Sequence, residues 1–155
     1  MAKVLTVYEG RQSEELEVLL AQRRHEVTPA SSAPEAMELI RNEVFDVVIT
    51  DGVFLIGNDT GISHAPAVAI MRAGIEKGLR AILYSCTLPR QRADDPQIPD
   101  GVVVIKQSID PKATKVDVAQ IMRVVEEAVL EAHKGEIADT LPDLESKDTE
   151  EAPTS

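Results

Sequence analysis

The run Phe45-Asp46-Val47-Val48-Ile49-Thr50-Asp51-Gly52 constrains the fold more than any other stretch of the chain. Three β-branched aliphatics in succession show no polar alternation, so both faces of this strand need cover. That is the pattern of a parallel sheet flanked by helices. The run then ends abruptly in a carboxylate. Open parallel sheets place their binding crevice just beyond the carboxyl ends of the strands. Asp51 is therefore a charge at the edge where such folds work.

The rest of the chain supplies partners for that strand. Lys3 to Tyr8 reads as a first strand and His25 to Pro29 as a short second one. Ser13 to Arg24 reads as a helix with Leu16, Leu19 and Leu20 on one face. Its acids Glu14 and Glu15 fall in the first turn and Arg23 and Arg24 in the last, as the helix dipole favours. Ser32-Ala33-Pro34-Glu35 is a capping box that opens a helix to about Asn42, with Met37, Ile40 and Val44 at helical spacing. A long loop is expected over 52–62, then a helix from Ser63 or Ala65 to Lys77, closed by Gly78. Arg80 to Ser85 and Val102-Val103-Val104-Ile105 are the fourth and fifth strands. Between them, Leu88 to Gly101 holds Pro89, Pro96 and Pro99, so a fourth helix there is expected to be short or absent. A last helix over about Lys112 to His133 presents Val118, Ile121, Met122, Val125 and Val129 on one face. No internal repeat is visible.

Five βα units with buried strands predict an α/β, doubly wound, five-stranded parallel sheet with helices on both faces. The order 2-1-3-4-5 fits best and puts the first and third strands side by side at the crevice.

Charge divides the chain. The formal net charge is −11, and from Gly135 onward seven acids stand against one base, a net of −6. Residues 1–134 read as the domain and 135–155 as an acidic tail too polar to order itself; a partner-binding tail is the alternative. The acidic balance argues against direct nucleic-acid binding. No apolar run reaches the roughly 18 residues of a membrane span. The chain enters a strand at once, without signal-peptide character. Cys86 is the one cysteine, which fits a cytoplasmic location; it reads as a small buried residue.

The strand ends carry chemistry. Glu9, Asp51, Ser85 and Lys106 follow or close strands one, three, four and five. Two carboxylates could share a hard cation such as Mg²⁺. Asp51 could attack a phosphoryl group, with Lys106 and Ser85 stabilising its oxygens. Equally, Asp51 and Lys106 could be a structural ion pair, Glu9 a solvated acid and Ser85 a plain hydroxyl. Tyr8 reads as a packing and hydrogen-bonding residue. His25, His64 and His133 are scattered, without metal-ligand spacing. The Gly-rich loop over 52–62 lacks the phosphate-cradle and dinucleotide fingerprints, and no nucleophile elbow is present.

Four segments together resemble a response-regulator receiver domain over about residues 3–133: Val4-Leu5-Thr6-Val7-Tyr8-Glu9, Phe45 to Asp51, Ala81-Ile82-Leu83-Tyr84-Ser85-Cys86 and Val102-Val103-Val104-Ile105-Lys106. The resemblance implies that Asp51 accepts a phosphoryl group, that Mg²⁺ is held by Glu9 and Asp51, and that Ser85 and Lys106 sense the phosphate. It implies a histidine kinase or phosphotransfer protein as donor and a downstream protein effector, within a two-component phosphorelay. No enzymatic activity beyond self-catalysed phosphoryl transfer is implied. A homodimer through the last helix and the Pro-rich stretch is possible in this fold. Several positions depart from the family pattern. Tyr8 replaces the first of two acids, and Glu9 the second. Phe54-Leu55 replace a Met-Pro pair, Val103 an aromatic switch residue, and Gln107 the proline after the lysine. These departures suit an alternative, a degenerate receiver that binds partners without phosphorylation. A small enzyme using the same crevice is a third reading.

Overall fold

The structure is a computed structural model that describes residues 1–9, 14–55, 62–89, 93, 97–108, 110 and 112–131. The tail over 135–155 lies outside the described residues. Five strands form one parallel sheet: β1 (Lys3–Val7), β2 (Glu26–Ala30), β3 (Val47–Thr50), β6 (Arg80–Ser85) and β7 (Val103–Lys106). A short antiparallel pair, β4 (Phe54–Leu55) with β5 (Ile62–Ser63), stands apart. The helices are α1 (Glu14–Gln22), α2 (Ala33–Asn42), α3 (Ala65–Glu76) and α4 (112–131).

Sheet order is β2-β1-β3-β6-β7, all parallel. Counting only the main-sheet strands, this is the predicted order 2-1-3-4-5. The two-residue period of the strands sorts their side chains between two cores. Val4, Val47, Ile49, Ile82 and Tyr84 join the core that covers α1 and α4. Leu5, Val7, Val48, Ala81 and Leu83 join the core under α2 and α3. Every residue of β3 is buried, as its unbroken aliphatic run requires. No helix among the described residues is long and apolar enough to cross a membrane.

Several expectations are corrected. The stretch over 52–62 is not all loop: Leu55 pairs with Ile62 and Phe54 with Ser63, while 56–61 lie outside the described residues. Helix α1 ends at Gln22. Arg24 takes the left-handed conformation (φ 66°), with Arg24 N–H bonded to Ala21 O and His25 N–H to Leu20 O. This is a Schellman stop built on arginine instead of glycine. Val44 lies past the end of α2 and is 80% exposed, so it is not part of that helix's apolar face. Ser32 caps α2 by accepting the Glu35 N–H, as predicted, but Glu35 reaches back one residue further than a capping box, to the N–H of Ser31. Strand β7 begins at Val103, not Val102. Among the described residues of 86–101 none is helical.

Candidate functional site

Backbone pairing brings the strand ends together. Asp51 N–H donates to Val7 O at 2.9 Å, and one step beyond the Val7–Thr50 pair Tyr8 comes level with Asp51. On the other side of the sheet, Ser85 is the register partner of Lys106. The four predicted residues therefore lie along one rim.

Two of them touch. Ser85 Oγ donates to Asp51 Oδ1 at 2.6 Å, and the Gly52 N–H donates to the same oxygen at 2.7 Å. Ser85 is buried, and its Oγ also accepts the Thr87 N–H and lies 2.9 Å from Thr87 O, which ties it to the turn that follows. Gly52 is dictated by this turn. A Cβ there would stand 2.5 Å from Thr87 O and 3.1 Å from Ser85 Oγ. His64, at the start of α3, bonds through Nδ1 to Gly52 O. Sequence reasoning gave Gly52 and His64 no place in the site. The close packing of Gly52 against the Ser85 turn is a tertiary fact with no local signal.

The other two do not join them. Glu9 Oε1 accepts the Leu55 N–H at 2.8 Å, which ties the end of β1 to the short strand β4. Lys106 is exposed, and among the described residues it makes no ion pair with Asp51. The structural Asp51–Lys106 pair weighed from the sequence is therefore absent. Cys86, expected to be buried, is exposed.

Tyr8 stands where the receiver pattern has an acid, and it is spent on structure. Its ring is buried, and its hydroxyl donates to Tyr84 O at 2.6 Å. Burial first, and then the negative charge of Asp51, push its ionisation well above the usual tyrosine range, so the phenol is neutral. Tyr84 continues the chain of contacts. Burial, then the Asp117 charge, push its pKa up to about 12. Asp117 is itself buried and accepts the Ser108 N–H at 2.9 Å. This link from the rim to α4 was invisible in the sequence, because Tyr84 sits in an unremarkable aliphatic strand.

Among the described residues the rim could offer Mg²⁺ two carboxylates, those of Glu9 and Asp51. A neutral phenol bonded to a carbonyl is no ligand for a hard cation. Of the two carboxylates left, one oxygen of Asp51 is taken by two protein donors and one of Glu9 by Leu55. No group of three His, Cys, Asp or Glu that could hold a metal occurs among the described residues.

No family model matches this chain, and no curated protein matches it in sequence. Solved structures do match in fold. A response regulator receiver protein of Sinorhizobium medicae WSM419 aligns with a TM-score of 0.60 at 18% identity, over 81% of this chain and 92% of that one. A CheY-like receiver domain protein of Methanospirillum hungatei JF-1 gives 0.57 at 16% identity, over 84% and 98%. The receiver domain of the sensor histidine kinase PA1611 of Pseudomonas aeruginosa PAO1, solved with a magnesium ion coordinated in its active site cleft, gives 0.59 at 14% identity, over 83% and 97%. The chain has the receiver fold.

Proposed function

We propose that this chain is a receiver-fold signalling module that acts by binding a protein partner, without a phosphoryl group on Asp51. The observation that carries this reading is the end of β1. Tyr8 holds the place of an acid and is bonded to Tyr84 O, while Glu9 is drawn to Leu55. Moving a phosphoryl group onto a carboxylate brings two anions together, and such transfers depend on cations aimed at the developing charge. Here the nearest groups to Asp51 are neutral donors, and Lys106 is turned to solvent. Asp51 in this reading is an anchor: its carboxylate holds the Gly52 and Ser85 turns together and shapes the rim.

A second reading keeps Asp51 as phosphoacceptor, with Mg²⁺ at Glu9 and Asp51, Ser85 and Lys106 on the phosphate, and a histidine kinase or phosphotransfer protein as donor. It is favoured by one observation: a serine hydroxyl already lies 2.6 Å from the half-buried Asp51 carboxylate. The fold neighbours, which include a receiver domain of a sensor histidine kinase, give it context. One experiment separates the two. The full chain is incubated with Mg²⁺ and acetyl phosphate, and separately with Mg²⁺ and beryllofluoride, beside Asp51→Asn. The expected result is no mass adduct and no Mg²⁺-dependent shift of the Asp51, Ser85 or Lys106 amides. An adduct that forms on the parent chain and not on the variant overturns the first reading.

A further inference from the structure

A groove of about 360 Å³ runs between α1 and α4, on the face of the sheet away from α2 and α3. Its floor is apolar, formed by Leu19, Val118, Ala119 and Met122, and its walls carry Arg23 and Lys115 against one acid, Glu15. Towards the end of α4 the surface continues past Arg23 and Arg24 to Val129 and Leu130. Leu130 is 58% exposed. On a chain whose net charge is −11, this strip has more bases than acids. Among the described residues Arg23 pairs with Glu126 at 3.8 Å, an exposed interaction of little strength that an incoming carboxylate can replace.

The chain itself carries a complementary segment. Residues 132–155 lie outside the described residues and follow directly from α4, at the end of the groove where Val129 and Leu130 stand. Within them Ile137, Leu141 and Leu144 alternate with Asp139, Asp143 and Glu145. Apolar side chains interleaved with acids match an apolar floor edged by arginine and lysine. The reach is adequate. Val118 lies thirteen residues back along α4, about 20 Å at the helical rise, and the ten residues from 131 to 141 extend to about 33 Å.

We propose that the segment 137–144 seats in the α1/α4 groove of its own chain, with its acids against Arg23 and Lys115. The seat is intramolecular, so a weak intrinsic affinity is enough. A short flexible tether gives an effective concentration on the order of millimolar. Any partner that uses this face must displace the segment first, which makes the tail a built-in competitor. This holds whatever the chemistry of Asp51.

The test uses the full chain, isotope-labelled, at low protein concentration. One variant carries Ile137→Ser, Leu141→Ser and Leu144→Ser, and changes none of the described core residues. A second carries Arg23→Glu and Lys115→Glu. The parent is expected to show methyl contacts between Leu141 or Leu144 and Val118 or Met122. Both variants are expected to lose them, with the Leu19, Val118 and Met122 amides shifting in common and the Val68 and Ile70 amides unmoved. If the charge variant fails to fold, the triple variant alone decides. Groove amides identical in parent and triple variant overturn the proposal. So do methyl contacts that appear only between differently labelled copies, which would assign the groove to a second chain.

Discussion

Helix α3 packs directly on β3, the strand that leads into Asp51, and Gly74 is what lets it come so close. A Cβ added at Gly74 would stand 2.9 Å from Val48 Cγ1. Carbon atoms in contact prefer about 3.5–4.0 Å, so the overlap is roughly 0.6–1.1 Å. Val48 is fully buried in β3 between β1 and β6, and cannot move without moving the sheet. Two effects then compete in Gly74→Ala. Relief of glycine's backbone freedom in a helix stabilises by about 0.5–1 kcal/mol. Overpacking a fixed core costs about 1–3 kcal/mol. The clash wins, and the variant is expected to be less stable by about 0.5–2 kcal/mol. A double-mutant cycle isolates the cause. Val48→Ala removes the obstructing methyl and costs about 1.5–3 kcal/mol by itself. In that background Gly74→Ala no longer meets Cγ1, and it should stabilise by about 0.5–1 kcal/mol. The coupling between the two sites is thus about 1–3 kcal/mol, within the range for residues in contact. Reversible urea unfolding of the four proteins, with unchanged m-values, measures it. A Gly74→Ala protein as stable as its parent, with coupling under about 0.5 kcal/mol, would refute the packing argument.

Arg24→Gly relieves the one positive-φ residue outside glycine among the described residues, and should raise stability by about 0.5–1 kcal/mol in the same urea assay; a loss would mean that the Arg24 side chain contributes more than its backbone strain costs. Tyr8 and Tyr84, the only two tyrosines, both ionise above the ordinary value of about 10, so the fold favours their protonated forms. Their contribution is full below about pH 10 and is lost as pH rises beyond it. Tyrosinate absorbance should appear together with loss of circular dichroism, and a titration near pH 10 in the folded protein would contradict the burial. His25 accepts the Ala2 N–H at Nδ1, and burial followed by the nearby amino terminus lowers its pKa. Its contribution is therefore present above about pH 6.5 and is lost as pH falls below it. Parent and His25→Gln should converge in urea midpoint on acidification, and parallel profiles would sink the idea. Gly52→Ala forces a Cβ against a backbone carbonyl and should displace the Ser85 and Thr87 amides, at a cost of about 1–3 kcal/mol; an unperturbed spectrum would show that the turn can yield.

The fold was legible because its signals are local and periodic. Unbroken aliphatic runs at Val47–Ile49 and Ala81–Leu83 mark strands with two buried faces, and the spacing of Leu16 and Leu20 marks a helix with one. Those patterns leave few strand orders once right-handed crossovers are required, and 2-1-3-4-5 fits best among them. The rim was legible only as a set of residue types at strand ends. What each does with its hydrogen bonds depends on neighbours distant in sequence. Glu9 meets Leu55 across 46 residues and Tyr8 meets Tyr84 across 76. No window of sequence carries that information. The same holds for Cys86: a small residue beside a buried strand end reads as core, but the strand stops at Ser85 and the next side chain faces water.

A switch needs groups that can trade one partner for another at comparable free energy. At this rim the trades are already closed. Asp51 Oδ1 holds Gly52 and Ser85, Glu9 holds Leu55, and Tyr8 holds Tyr84. Breaking the Tyr8 bond would leave a buried hydroxyl or carbonyl unpaired, at about 1–3 kcal/mol for each group. An incoming anion would find no free cation among these partners to repay that cost. Groups with more freedom to change partners lie elsewhere, on the α1/α4 face, where among the described residues Arg23 has an exposed pair with Glu126 and Lys115 lines an open groove. Regulation by exchange of partners is therefore easier on that face than at the strand ends. A receiver fold whose rim is bonded into its own framework keeps its exchangeable contacts on the α1/α4 surface.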